Sequence, residues 1–562
     1  MKFPPEVEAS LNLAVTQPSP KMNSNTTTSW SENEAQWLAL FKHSAIVQAC
    51  VTATVICVCT RVLSSHWFHQ VKYGHGANVV PPTLPYWIPF VRHALHMAWD
   101  TKRFAARCLL KYGDGTPFYI DAAGRKILVL LDPNQIKRVM NSSKELDPNP
   151  FIHEMILGQM LGSPTHTIDF YKNDQGKMDH TQMQHIRQHV TGTSLISMSR
   201  KVHERLSLNI GKQVKGTEWL HISDLFSFVQ NHVTVAITET LMGTDIIEQY
   251  PQMNADQWTF MDSSIEIVMG LPRFVISRAY DARDRLLTNL KRWNKTADAL
   301  RTAGKADTTW DASAGSGLMQ ERQELYAKTP GFDEDARVSQ ILGLLFAGNS
   351  ITPPLTFWYL FETLRDPAIF QQVFTEIHNH LDMQTGSFDL MQLTVRPILQ
   401  SLHAETTRYY ASNVAVRVVT TPTFALDDKY TIPHGTTLFI YNKFTGLFTA
   451  GWNDARPQTT TKPLDTFWAE RFLISGSGKR DRFSDAGLTG NWTSFGGGEH
   501  KCPGRHFARN IGIVTLAVLL GEFDCELIDR EEMKDIGPKI KETAFGKMEP
   551  TGKVVARLRR RQ

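Results

Sequence analysis

The first apolar feature of the chain is "SAIVQACVTATVICVCTRVL", residues 44–63, which carries no charge before Arg61. Its length suits one helix across a bilayer. It begins too far into the chain for an ordinary signal peptide. A buried core helix is the competing reading, but only a polar Ser/Thr/Asn-rich arm precedes it, and such an arm cannot build a core. Beyond it, "PPTLPYWIP" (81–89) is rich in proline, which fixes φ and blocks helix, so it reads as a stiff spacer. The pattern divides the chain into an arm (1–43), a transmembrane helix (44–63), a Pro-rich spacer (64–90) and a globular remainder (91–562).

The remainder has no repeats and alternates long helical patterns with short strand-like runs. Residues 336–367 are apolar nearly all round, which predicts one central, buried helix, strained where Pro353 and Pro354 fall. Residues 398–410 and 506–523 read as further helices. Residues 413–419 and 436–441 are rich in β-branched and aromatic residues and read as strands. Residues 302–318 read as a loop of low order. The pattern predicts one large, mostly α domain with small β-sheets.

Composition narrows the chemistry. The 60 basic and 56 acidic residues nearly cancel, which does not point to nucleic acid. Six cysteines without a CxxC argue against a disulfide framework and a zinc ribbon. Three of them lie in the apolar stretch, leaving Cys108, Cys502 and Cys525.

Of these, Cys502 has an unusual setting, "SFGGGEHKCPGRHFA" (494–508). Proline suits a helix's first turn, so Cys502 is expected near a helix N-terminus, where amides and the dipole favour a thiolate. Glycines 496–498 would bend the backbone and turn its N–H groups to the sulfur, and His500, Lys501 and Arg505 add positive charge. Such a thiolate is a nucleophile or a metal ligand. A nucleophile needs a base, for which His500 and His506 are available. Zinc would want more thiols. A haem needs one sulfur, amide donors and basic groups for its propionates.

The run from Phe495 through Cys502 to Gly504 resembles the cysteine-loop signature of the cytochrome P-450 monooxygenases. Glu405-Thr-Thr-Arg408 is similar to the family's Glu-x-x-Arg helix, and Trp468-Ala-Glu-Arg471-Phe472 to its later motif, with alanine where proline is commonest. The resemblance spans roughly residues 80–555 and implies the cytochrome P-450 fold, a single large haem domain behind an N-terminal membrane anchor. It implies haem b on the Cys502 thiolate, with Phe495 in the loop, His500, Arg417 and Arg187 (His185 second) as cofactor-binding residues, and a structural network of Glu405, Arg408 and Arg471. It implies monooxygenation of a large lipophilic substrate (terpenoid, steroid-like or polyketide-derived). Electrons come from NADPH through cytochrome P-450 reductase, docking near Lys501, Arg505 and Arg509, with cytochrome b5 as a second donor. The implied location is the endoplasmic reticulum membrane, single-pass, with a cytosolic catalytic domain and a luminal arm whose Asn25 sequon makes it a glycoprotein. Expected pocket walls are the 150–170 region, Leu344, Leu345, Gly348, Asn349, Val414, Val416, Ala544 and Phe545.

The central helix departs from the family pattern. Ser350 stands where the acid is usual and Ile351 where the first threonine is usual, with Thr352 one position later. The prolines lack N–H donors, freeing the Asn349 and Ser350 carbonyls. Proton delivery is therefore expected from Asn349, Ser350 and Thr352. The stretch "ITPPLTFWYL" looks like the cholesterol 7α-hydroxylase and prostacyclin synthase branch, which keeps open an alternative: a haem-thiolate isomerase or dehydratase working without O2 or reductase. A non-catalytic haem carrier is the third reading.

Overall fold

The computed structural model describes residues 45–561 apart from position 383 and residues 477–478, 539–544 and 547–548. The arm with Asn25 lies outside the described residues. Helix α1 (Ala45–Tyr73) is one unbroken helix of 29 residues, long and apolar enough to cross a membrane and able to serve as an anchor. It runs about ten residues further than the sequence pattern suggests. Tertiary packing supplies the reason. Phe68 is 2% exposed, packed with Leu84, Leu109 and Phe118. Ser64 Oγ accepts the Tyr86 N–H at 3.1 Å, and Lys72 pairs with Asp114. The spacer thus begins only after Tyr73. The first half of α1 instead exposes Ile46, Val51 and Val55.

The body is mostly helical. In chain order, the elements that position the site are α2 (Ala94–Tyr112), β1 (Phe118–Ala122), β2 (Arg125–Leu130), α3 (Pro133–Asn141), β3 (Leu146–Asp147), α4 (Lys177–His189), α5 (Leu225–Met242), α6 (Met253–Asp262), α7 (Glu334–Asn349), α8 (Thr352–Arg365), α9 (Pro397–Tyr410), β4 (Ser412–Val419), β5 (Thr437–Tyr441), α10 (Arg505–Ala517) and β6 (Phe545–Gly546). Local chemistry sets several of these boundaries. Asp132 caps α3 by accepting the Asn134 and Gln135 N–H groups, and Asp333 caps α7 through Ala336. Proline occupies the first turn of α3, α8 and α9, where no N–H is needed.

The expected single central helix is two helices, α7 and α8, broken at Ser350–Ile351. Pro353 and Pro354 cannot donate to the turn before them, so they start a helix instead of continuing one. Their apolar character matches their place: Phe357, Trp358, Leu360 and Phe361 are fully buried in the largest core cluster. Two further expectations change. The helix expected over 506–523 ends its α geometry at Ala517 and continues as a π-helical turn, Val518–Glu522. Residues 302–318 contain an ordered hairpin pairing Trp310 with Ser316 and Asp311 with Gly315. Asp311 Oδ1 holds its turn by accepting the Ser313 and Ala314 N–H groups at 2.8 and 2.9 Å.

The main sheet runs β1-β2-β5-β4, with β3 and β6 both pairing β4. β5 is parallel to β2 (Leu438 opposite Leu128) and antiparallel to β4 (Leu438 opposite Arg417). Successive side chains on a strand face opposite ways. On β4, Val414, Val416 and Val418 share one face, and Arg417 lies on the other.

Two predictions follow from the core around α8. The Trp358 ring stacks on Tyr410 with centroids 4.0 Å apart and planes 9° apart. Trp358→Ala opens a cavity and should cost about 3–5 kcal/mol, read as a lowered thermal unfolding midpoint. Glu362 is buried, accepts hydrogen bonds from the Tyr410 hydroxyl and from Arg365 Nε, and burial pushes its carboxyl from 4.5 up to about 7. The folded state therefore holds this proton more tightly than the unfolded chain does, so its contribution is complete below pH 4.5 and fades as pH rises to 7. Glu362→Gln should flatten that part of the stability–pH profile, measured by thermal unfolding across the window.

Candidate active site around Cys502

Three prior constraints place Cys502. Its N–H donates to Phe495 O at 2.8 Å, closing the loop. Gly504 N-caps α10, so the cysteine sits two residues before the cap. Gly496 and Gly498 have φ of +69° and +62°, and a Cβ on Gly498 would lie 1.9 Å from Met140 O. Gly497 and Gly498 thus serve close packing against Met140 at the end of α3, while Gly496 faces the His500 carbonyl. The amides that reach the sulfur are those of Gly504 and Arg505.

Among the body cysteines, Cys108 and Cys525 are buried, with thiols pushed up to about 12 by burial. Cys502 alone of these three is exposed. Burial of the surrounding loop raises its thiol as well, and the Gly504 and Arg505 amides with the Arg505 charge only partly oppose this. The loop's donors thus favour the thiolate while desolvation opposes it. A metal's own charge deprotonates a coordinating thiol, so thiolate character here goes with metal binding.

Arg417 gives the test of fit for a haem. It is 4% exposed, and its guanidinium donates to the carbonyls of Val416 (2.7 Å) and Gly497 (3.0 Å). Among the described residues no carboxylate forms an ion pair with it, and burial pulls it down to about 10. His500 is half-buried, and its ring is lowered by burial and by Arg417. A buried cation is costly without an anion, and a propionate answers that need. Arg187 is exposed and donates to Glu499 O at 3.3 Å, so α4 does reach the cysteine loop. His185 has a buried Nδ1 without a partner. The residues present fit the group.

Beneath this region lies the charge network. Glu405 accepts two bonds from Arg408 at 2.7 Å each and one from Arg471 Nε at 3.0 Å, and all three side chains are inaccessible to solvent. The remaining donors are satisfied: Arg408 reaches the Gly446 and Leu464 carbonyls, and Arg471 those of Lys462, Pro463 and Thr466. From the far end of α9, Ser494 Oγ donates to Thr407 O, and Asn413 Nδ2 donates to Ser494 O at 2.8 Å. The network, α9, β4 and the cysteine loop are therefore one hydrogen-bonded unit.

The distal residues separate into two groups. Leu344 is half-buried, Ala347 is exposed, and Ser350, Ile351 and Thr352 are half-buried, which marks one open side of the α7–α8 junction. Asn349 and Leu345 are fully buried on the other side. The Asn349 amide donates to Thr238 Oγ1 (3.2 Å) and Gln257 Oε1 (3.0 Å), so it is tied to α5 and α6. Gly348 packs toward Ile237 and Leu241 of α5. The structure thus takes Asn349, Leu345 and Gly348 away from the open side.

A cavity of about 990 Å³ is walled by Phe151, Met155, Ile265, Met269, Val414, Val416 and Phe439, with Arg125, Lys126 and Glu154 also lining it. Two predicted walls, Val414 and Val416, are there, and so is the 150–159 part of the loop region. Leu344 is not among its lining residues. The Phe545 backbone pairs with Asn413, and Ala544 lies outside the described residues. The pattern missed Phe439, although period-2 alternation along β5 places Thr437 and Phe439 together on the cavity side. Ile265 and Met269 carried no signal, because their role depends on strands far off in sequence.

Removing one member of the buried network strands a charge and costs roughly 3–5 kcal/mol. Glu405→Ala or Arg408→Ala should yield protein with little bound haem, measured as Soret absorbance per chain.

The Cytochrome P450 family model matches residues 81–555. The chain is 29% identical to cytochrome P450 monooxygenase fsoE of Humicola fuscoatra, over 87% of this chain and 89% of that protein. It is 29% identical to cytochrome P450 monooxygenase efuG of Hormonema carpetanum, over 90% and 95% respectively. Prostacyclin synthase of Rattus norvegicus is 24% identical over 84% and 92%. With a cysteine loop, a buried Glu-Arg-Arg network and a family match across most of its length, the chain belongs to the cytochrome P450 family and is a haem-thiolate oxidoreductase of the monooxygenase kind.

Proposed function

We propose that the protein inserts one oxygen atom from O2 into a large lipophilic substrate of secondary metabolism, terpenoid, steroid-like or polyketide-derived. NADPH–cytochrome P-450 reductase supplies the electrons. The observation that carries this reading is the apolar cavity of about 990 Å³ whose wall, Val414 and Val416, shares strand β4 with Arg417 beside the cysteine loop. One strand thus orders both pocket and cofactor. Apolar walls of this size suit a bulky lipophile, and the few charged groups lining the cavity can orient a polar end. The relatives named monooxygenases support the reaction class.

The haem, held by Cys502 with Arg417, His500 and Arg187 toward its propionates, supplies dioxygen binding and O–O cleavage when bound. Ser350 and Thr352, at the break between α7 and α8, hold and pass the protons. The Asn349 and Ser350 carbonyls that the prolines leave without helical donors keep water there. Asn349 positions the junction through α5 and α6. Lys501 and Arg505 present charge for the reductase, with cytochrome b5 as second donor. Arg509 instead turns inward, where it lies close enough to Tyr359 and His403 to influence both. The protein sits in the endoplasmic reticulum membrane through α1, with the body cytosolic and the Asn25 arm luminal.

Ser350 in place of the usual acid and Ile351 in place of the usual first threonine support a second reading, an isomerase or dehydratase that needs no reductase. Microsomes containing the protein, reductase and candidate lipophiles, with and without NADPH, separate the two by product mass. The expected product is heavier by one oxygen and strictly NADPH-dependent; an isomeric or dehydrated product formed without NADPH establishes the second. Cys502→Ser should abolish turnover and the long-wavelength Soret band of the reduced carbon monoxide complex. Ser350→Ala with Thr352→Ala should lower product formed per NADPH by about 10- to 100-fold and raise peroxide release.

A further inference from the structure

A second cleft, of about 330 Å³, lies where the lower half of α1 meets α2. α2 separates it from the larger cavity: Ala94 and Met97 line that one, His93 and His96 this one. Its lining brings together Arg61, Arg92, Arg107, Lys111, His93 and His96, and includes no carboxylate. Arg92 is neutralised by Asp121. Arg107 and Lys111 are exposed on one face of α2 and, among the described residues, form no ion pair. Arg61 donates to Tyr112 Oη at 3.3 Å and lies over the Trp87 ring at 5.6 Å. At the back, His93 is 3% exposed and engages the Asp121 backbone through Nδ1 at 3.1 Å, while its buried Nε2 has no hydrogen-bond partner. The Pro85 carbonyl also faces that ring.

Concentrated positive charge from Arg61, Arg107 and Lys111, without a carboxylate in the lining, and a concave shape specify an anion with several acceptor oxygens. Depth selects its source. Arg61 is the first charge after the apolar stretch of α1, so the cleft lies where hydrocarbon gives way to headgroups. On the chain segments that border the cleft, Trp99 (93% exposed), Phe90 (89%) and Leu95 (55%) are apolar side chains that water does not reward. We propose that this cleft binds the phosphate headgroup of an anionic membrane phospholipid, clamped between Arg61 of the anchor helix and Arg107 and Lys111 of α2. The bound lipid braces the junction of α1 and α2, holding the body at the angle that the unbroken α1 gives it. This rests on α1 being the membrane anchor.

The test uses the full chain in nanodiscs of phosphatidylcholine doped with phosphatidylinositol or phosphatidic acid, with retained lipid counted by native mass spectrometry. The expected result is an anionic phospholipid retained well above its bulk share. Arg107→Gln with Lys111→Gln should reduce that enrichment about tenfold or more. Lys328→Gln with Lys534→Gln, an equal charge change outside the cleft, should leave it unchanged. The haem spectrum reports folding in every variant. Equal retention in the Arg107/Lys111 variant overturns the proposal. So does stabilisation by soluble inorganic phosphate with no lipid enriched. A chain stripped from membranes by alkaline washing refutes anchor and lipid site together, whereas an embedded chain without enrichment refutes the site alone.

Discussion

The buried contact of Glu405 with Arg408 and Arg471 is the constraint on which the rest of the site depends. Three charges removed from water are tolerable only if each is fully answered. Here the answers come from backbone carbonyls between Gly446 and Thr466, so satisfying the charges also fixes a long irregular segment. The same helix continues into β4 and, through Thr407 and Asn413, grips the start of the cysteine loop. The charge cluster fixes a geometry, and cofactor binding exploits it.

From that unit the two faces of β4 divide the labour. One face lines the large cavity with valines; the other presents Arg417 to the Gly497 carbonyl and the loop. A one-residue slip of register would exchange them. Pairing with β5 and with the short strands β3 and β6 guards against that slip.

The local part of this architecture was legible in the sequence. Strand β4, helix α9 and the cysteine loop each carry a short signal within a few residues: alternation, a Glu-x-x-Arg pair, a Gly-rich run before Cys-Pro. The Pro353–Pro354 pair marked the central discontinuity, although as a kink, because one line of residues does not tell how far two missing donors unwind a turn. Less legible was anything set by a partner distant in sequence. Asn349 carries an amide suited to proton relay, and only its neighbours Thr238 and Gln257 turn it into a packing residue. The glycines before Cys502 advertised a bend but not Met140, the group that makes them necessary. The extension of α1 to Tyr73 follows from Phe68 finding a pocket, which no helix signal announces.

Because α1 continues without a break from its exposed apolar half into the packing around Phe68, no loop separates that half from the body among the described residues. Under the proposed anchoring, the body follows the direction of that helix like a flag on a mast. Its cavity mouth would then keep one compass bearing relative to the lipid, so that a lipophile dissolved there, the substrate class proposed above, meets the same doorway at each encounter. The proposed reductase, held on the same surface, would need to search only two dimensions.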